Sequence, residues 1–306
     1  METRTFGRTG LEVSVLGFGG APIGVLETGE AEVDGVLGLL LDHGVNLVDT
    51  AAGYRGSEEA IGRSIGSRRD DFVLVSKCGQ AFDDLPGEPW SEELITSTIE
   101  RSLARLQTDY LDVMLLHTCD LEVLERGEAV GALVRAREAG KIRFAGYSGD
   151  NQAGAYAARL DDVAVIQTSI NICDQVNIDQ VLPVAAECGV GVMAKRPIAN
   201  AAWKDLNDQP GFYARYAETY TERLALMAIG PQDMGFEESD WAELALRFTL
   251  SCDIGTAIIG TTNPDHVRAN IEAASRGALP EEAVAQLREA FVEAMADADD
   301  EWTGQT

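Results

Sequence analysis

The chain has 306 residues, 45% of them hydrophobic, and 51 acidic against 24 basic side chains give it a formal net charge of −27. That size and apolar content suit a globular protein with a sizeable core, and so acidic a balance excludes nucleic acid and anionic membrane as partners. No apolar run approaches the roughly 20 residues that cross a bilayer, and Met1–Phe6 lacks an apolar signal core, so a cytoplasmic location is expected.

Strand-like and helix-like segments alternate along the chain. Thr3–Phe6 and Glu12–Val15 flank Gly-Arg-Thr-Gly and read as a short hairpin. Leu16-Gly-Phe-Gly-Gly is a brief strand ending in glycines. Glu30–His43 reads as a helix and Val45–Asp49 as a strand. Ser57–Ile65 is a helix expected to be capped by Ser57, and Phe72–Lys77 is a strand. Ser91–Leu106 has apolar residues at helical spacing behind a serine cap. Asp112–His117 is a strand, followed by a helix over Glu122–Ala139 that Gly140 stops. Strand Arg143–Ser148, a short helix over Asn151–Arg159, strand Val163–Thr168, helix Asp179–Cys188 and strand Val190–Ala194 follow. The longest irregular stretch, Pro197–Phe236, is expected to hold a helix near Phe212–Met227 and to cover a site. Helix Glu237–Ser251, strand Thr256–Gly260, helix Pro264–Ala274 and a last helix over Pro280–Ala296 precede an acidic tail expected to fray.

Eight strand–helix repeats in about 300 residues predict a (β/α)8 TIM barrel, one domain over residues 1–306, with an N-terminal β-hairpin and a C-terminal helix. The strands are apolar runs, as in a parallel sheet buried on both faces. A doubly wound sheet fits less well, because Gly17-Phe-Gly-Gly-Ala-Pro-Ile-Gly is out of phase with G-x-G-x-x-G. Five cysteines without a CxxC suit a reducing compartment, and three scattered histidines offer no metal spacing.

Three strands end at polar residues. Val45, Leu47 and Asp49 share one strand face, as do Val73, Val75 and Lys77, and Val113, Leu115 and His117. If the aliphatics fill the barrel, Asp49, Lys77 and His117 crown one rim, with Tyr54 in the loop after Asp49. A tyrosine near pKa ~10 is a weak acid, a neighbouring lysine ammonium is expected to lower that value, and a carboxylate keeps the lysine charged. A histidine orients a carbonyl oxygen, and Tyr54 protonates it as hydride reaches carbon. No side chain supplies hydride, so a nicotinamide cofactor is required.

By these residues the chain resembles the aldo-keto reductase superfamily, in its bacterial type. The matching segments are Phe6-Gly-Arg-Thr-Gly, Asp49-Thr-Ala-Ala-Gly-Tyr54, Val75-Ser-Lys77, the run from Leu106 to His117, and Ile259-Gly-Thr-Thr-Asn-Pro-Asp-His-Val-Arg-Ala-Asn270. The resemblance implies Tyr54 as general acid/base, Lys77 as its partner, Asp49 as support for Lys77, and His117 as the residue that orients the carbonyl. It implies that Ser148 and Gln167 hold the nicotinamide carboxamide, with Gly149 where an Asn is usual. Lys195, followed by Arg196, stands where many members stack a tyrosine on the nicotinamide. Gly260, Thr261, Thr262, Asn263 and Asn270 match the loop and helix start for the adenosine phosphate end. His266 falls on the family's arginine against the 2′-phosphate, and Ala269 on its adenine-contacting Glu. NADP(H) is the expected cofactor, with NAD(H) as the alternative.

The expected reaction is reduction of a small-molecule aldehyde or ketone, or oxidation of the corresponding alcohol. Two other readings stand beside it. A barrel aldolase would form a Schiff base through Lys77. A regulatory subunit would bind cofactor and a protein partner without turnover. Loops Gly79–Trp90 and Pro197–Phe236 are expected to set specificity, with Trp90 and Trp203 either lining the pocket or packing those loops.

Overall fold

The structure, a computed structural model, describes residues 1–208 and 211–305. Strands β1 (Thr3–Thr5) and β2 (Glu12–Ser14) pair antiparallel, with Thr3 opposite Ser14. The barrel strands are β3 (Leu16–Gly19), β4 (Leu47–Asp49), β5 (Val73–Cys78), β6 (Leu111–His117), β7 (Ile142–Ser148), β8 (Val163–Ser169), β9 (Gly191–Lys195) and β10 (Thr256–Ile259). All are parallel and hydrogen-bonded in sequence order, and β10 pairs with both β9 and β3 to close the ring. This is the (β/α)8 barrel that the alternating pattern predicts.

Strand alternation sorts the apolar residues into two layers. Leu47, Val73, Val75, Val113, Leu115, Val165, Met193 and Ile258 form one cluster inside the barrel. Val48, Leu74, Met114, Leu116 and Ile259 face outward into the larger cluster shared with the helices. Cys78 lies in that outer layer, as its parity predicts. Val45 does not extend the inner face: it precedes β4 and packs outward. The hairpin plugs the barrel floor with Phe6 and Val13, both fully buried in the inner cluster. Phe6 fits only because Gly191 has no side chain, since a Cβ there would stand 2.7 Å from the Phe6 ring.

Several helices differ from their predicted form for local reasons. The helix expected over Glu122–Ala139 breaks into Leu121–Arg126 and Glu128–Glu138 at Gly127, whose φ of 73° no continuing helix accepts. The one expected over Asp179–Cys188 is two pieces, Val176–Gln180 and Leu182–Glu187. Pro183 has no amide proton for the previous turn, so it opens the second piece. Glu237–Ser251 begins as a 3-10 turn over Glu238–Asp240 and becomes α-helical over Trp241–Leu250. Ser91 caps Glu92–Leu106 as predicted, accepting from the Leu94 amide. The helix in the long connection runs over Gly211–Met227.

The acidic tail is not frayed. Trp302 is buried edge-on against Phe291, with ring centres 5.1 Å apart, and the Arg223 guanidinium lies 5.0 Å from its ring. Gly304 exchanges hydrogen bonds with the Asn151 side chain, and the Gln305 carbonyl accepts from Ser169 and Arg196. Among the described residues no helix is long and apolar enough to cross a membrane.

Candidate active site

The upper rim gathers the four residues singled out by strand parity. Asp49 ends β4, Lys77 is the penultimate residue of β5, and His117 ends β6. The Lys77 ammonium donates to both Asp49 carboxylate oxygens at 2.7 Å and to the Thr50 carbonyl at 2.8 Å. Its nitrogen lies 5.0 Å from the centre of the Tyr54 ring. His117 stands edge-on to that ring, with centres 5.8 Å apart and planes at 86°. Thus Tyr54 contacts the lysine and the histidine at once.

The loop that carries Tyr54 is fixed at both ends. The Tyr54 amide donates to the Ala51 carbonyl, and the Ser57 amide donates to the Tyr54 carbonyl. Ser57 does not cap its helix, which follows Gly56 at φ 75°. Its hydroxyl donates instead to the Gly20 carbonyl and meets Thr50 Oγ1 at 2.8 Å, tying the ends of β3 and β4 together. A serine pulled towards two neighbouring loops is unavailable to its own helix.

A second line of polar groups reaches Asp49 from across the barrel. The Ser148 hydroxyl donates to Gln167 Oε1 at 3.0 Å, and Gln167 Nε2 donates to Asp49 Oδ1 at 3.0 Å. Asp49, Tyr54, His117, Ser148, Gln167 and Lys195 share the wall of one cleft of about 730 Å³. That volume lies within the range of small-molecule and cofactor pockets. The cleft continues past Arg196 to the β10 end, where Gly260, Thr261, Thr262, Asn263 and His266 line it. Lys77 supports the wall from behind. Asn270, expected at the cofactor, is buried in helix Pro264–Ser275 and is not brought to the cleft.

The far end is built for an anion. Asn263 caps helix Pro264–Ser275 by accepting from the Asp265 amide at 2.8 Å, and Pro264 begins it. Helix N-termini of this kind carry unpaired amides and a positive dipole end. Thr261 Oγ1 accepts from the Asn263 amide and lies 3.4 Å from His266 Nδ1. With hydroxyl and amide groups at the catalytic end and a helix N-terminus at the other, the residues present fit an elongated, phosphate-bearing dinucleotide.

Burial decides the electrostatics. It raises the Tyr54 phenol above its ordinary pKa, and Lys77 opposes the rise without cancelling it. The lysine was expected to lower that value; desolvation of a phenolate in so closed a site outweighs it. Burial alone would lower Lys77, but Asp49 and then Tyr54 carry it upward, so it remains an ammonium. Burial raises Asp49 by more than Lys77 and Gln167 pull it down. Burial, then Lys77 and Lys195, pushes His117 down to about 3, so its ring is neutral at physiological pH.

Sequence reasoning passed over Asp150. It is fully buried, its Oδ2 lies 2.7 Å from the Lys195 ammonium, and its Oδ1 accepts from Thr168, the Ser169 amide and Asn177. It stands two residues beyond the β7 end, so the strand-end rule that found Asp49 extends to it. Trp90 and Trp203, left open between pocket and packing, both pack. Trp90 fills the space over Gly79, where a Cβ would come within 2.2 Å of its ring, and Trp203 stacks on Trp241 with centres 5.5 Å apart. Among the described residues no cluster of His, Cys, Asp or Glu could hold a metal ion.

Fold and rim together define a (β/α)8-barrel enzyme class in which a tyrosine, a lysine, a carboxylate and a histidine meet at the strand ends. The chain belongs to the aldo/keto reductase family, whose sequence profile matches residues 15–291, and it is thereby an oxidoreductase. It is similar to the L-galactose dehydrogenase of Arabidopsis thaliana, 28% identical over 89% of this chain and 88% of that protein. It superposes on the holo form of an aldo-keto reductase from Bacillus halodurans with a TM-score of 0.80 at 28% identity, covering 95% of this chain and 96% of the other. An aldo/keto reductase from Klebsiella pneumoniae, solved with NADP and acetate, gives a TM-score of 0.72 at 27% identity, covering 94% and 95%.

Proposed function

We propose that this chain interconverts an aldehyde or ketone with its alcohol, using a nicotinamide dinucleotide held along the cleft. NADP(H) is the first choice and NAD(H) the second. The observation that carries the reading is the three-oxygen hold on Lys77, which fixes an ammonium against the Tyr54 ring inside the cleft. When bound, a nicotinamide cofactor would supply the hydride that no side chain of this chain can give.

The remaining chemistry belongs to this chain. Tyr54, protonated at neutral pH, gives its phenolic proton to the carbonyl oxygen as negative charge grows there. Lys77 stabilises the phenolate left behind, and Asp49 keeps Lys77 charged. His117, neutral, donates a hydrogen bond from one ring nitrogen to the same oxygen and sets its position. Ser148 and Gln167 would hold the carboxamide, with Lys195 and Arg196 beside it. Gly260, Thr261, Thr262 and Asn263 receive the phosphate end, with Asn270 buried behind them. His266, with Arg268 on the same helix, would meet the 2′-phosphate. The NADP of the Klebsiella relative supports this order of preference. One domain over 1–306 is the reading we adopt, supported by the hydrogen bonds that Ser169 and Arg196 donate to the Gln305 carbonyl.

Schiff-base chemistry through Lys77 is disfavoured, because a nucleophilic amine must be neutral and this one is held as an ammonium by a bidentate carboxylate. Replacing the proton donor tests the proposal: Tyr54→Phe should lower kcat by roughly 10²–10⁴-fold while NADPH still quenches the protein fluorescence. Near-normal turnover in that variant would overturn the assignment.

A further inference from the structure

Two buried ion pairs each bring one member to the catalytic end of the cleft, and they are built in opposite order. In the first, Asp49 lines the cleft and Lys77 stands behind it. Lys77 is fully matched there by two carboxylate oxygens and a carbonyl. In the second, Lys195 lines the cleft and Asp150 stands behind, with its side chain fully buried. This pair is less evenly matched. Asp150 gives Lys195 one oxygen and spends the other on Thr168, the Ser169 amide and Asn177. Arg196, the next residue, adds a second cation to the same wall. His117, neutral, adds none.

Buried ion pairs contribute little net stability against well-packed apolar residues. A cation presented at a cleft wall by a dedicated buried carboxylate therefore invites a functional reading. Burial holds Lys195 below its ordinary value and Arg196 adds to that, while Asp150, itself held below its usual range by Lys195, opposes the fall. The field of Lys195 reaches the reacting groups, because it lowers both His117 and Asp49. Strand register accounts for this reach: Lys195 ends β9 beside β8, whose Gln167 touches Asp49.

Giving up a hydride leaves a nicotinamide ring with one positive charge that its reduced form lacks. We infer that Lys195, presented by Asp150, discriminates between the two redox states of the cofactor at binding, disfavouring the oxidised form so that the site takes up the reduced cofactor and releases the oxidised one. The inference rests on the nicotinamide reading above and assigns Asp150 as the positioning residue for Lys195. It also gives a reason for a lysine on this wall: a charge acts on the ring's charge, whereas an aromatic side chain offers only its face.

The test is equilibrium binding, without turnover. Wild type, the paired change Lys195→Gln with Asp150→Asn, and Lys195→Arg are titrated with NADPH and with NADP+ by fluorescence and calorimetry. The paired change leaves no orphaned charge in the interior. It is expected to lower the ratio of the NADP+ to the NADPH dissociation constant roughly threefold, mostly by tightening NADP+, because the cation removed lines the cleft while the carboxylate removed with it stands behind. Lys195→Gln alone should lower the ratio in the same direction and further, since it leaves the Asp150 carboxylate uncompensated, and Lys195→Arg should keep the wild-type ratio. An unchanged ratio in the variants, with both forms still bound, overturns the inference and leaves the reductase proposal standing. If wild type binds neither form, both fall together.

Discussion

Lys77 holds Asp49 by both carboxylate oxygens at 2.7 Å, in a spot where the two side chains are 1% and 3% exposed. Neither charge has water to fall back on. Lys77→Met leaves a buried carboxylate with Gln167 as its donor, and it should cost about 3–5 kcal/mol of stability, the usual cost of breaking a buried pair from one side. The paired change Asp49→Asn with Lys77→Met should restore most of that stability but not turnover, because Tyr54 then has no cation to stabilise its phenolate. Urea denaturation of the three proteins checks this. A loss under about 1 kcal/mol for Lys77→Met would mean that water reaches Asp49 after all.

The depressed His117 makes a prediction about acid. Its folded pKa is about 3, against about 6.5 for an unperturbed histidine. Above pH 6.5 both states are neutral and the group does not affect stability. As pH falls from 6.5 towards 3, the unfolded chain takes up the proton first, so folded-state stability is lost across that window. Asp174 works the other way. Burial and the neighbouring Asp150 raise it to about 6, and between its ordinary value and about 6 the folded state binds the extra proton. The difference between wild type and His117→Gln removes that shared background. Melting temperatures from pH 7 to 4 should fall more steeply for wild type than for the variant. Parallel curves would show that His117 is protonated in the fold.

Much of the site was legible in the sequence because β-strands alternate. Once Leu47, Val75 and Leu115 are inside, Asp49, Lys77 and His117 must share the rim, and this holds whatever the loops do. What escaped depends on contacts between distant segments. The Ser57 hydroxyl looks like a helix cap until the Gly20 carbonyl, 37 residues away, claims it. The net pKa of Tyr54 depends on how completely the site is buried, which no spacing reports. The tail was expected to fray because Asp299, Asp300 and Glu301 dominate its composition. Its anchor is a single Trp302 that finds Phe291 and Arg223.

The phosphate end separates the two cofactors. Helix Pro264–Ser275 presents His266 on the cleft wall and Arg268 on its exposed surface, where Arg268 pairs with Asp265 at 3.2 Å. An exposed pair of this kind is worth at most ~1 kcal/mol, so Arg268 is easily recruited by a better anion. Arg268→Ala combined with His266→Ala should weaken NADPH binding by roughly tenfold or more while leaving NADH binding nearly unchanged, because NADH lacks the 2′-phosphate that these groups are proposed to hold. Side-by-side fluorescence titrations read this directly. Equal weakening of both cofactors would place the two residues on the diphosphate or the ribose.

The tail links stability to the cofactor wall. Gln305 receives Arg196 and Ser169 on its carbonyl and gives its amide to Asp174, while Thr303 accepts from Arg223. Arg196 is a left-handed residue at φ 58°, in a stretch where Ala199, Asn200 and Ala201 are left-handed too. Such backbone costs of order 1–3 kcal/mol per residue and persists only where its surroundings hold it. Trp302→Ala removes the apolar anchor and should cost about 3–5 kcal/mol, the range for emptying a buried tryptophan site. It should also weaken dinucleotide binding, because the strap that holds Arg196 on the cleft wall loosens with its anchor. A conservative Trp302→Phe should recover much of both. If thermal stability falls in Trp302→Ala while cofactor affinity is unmoved, the tail secures the barrel without shaping the cleft.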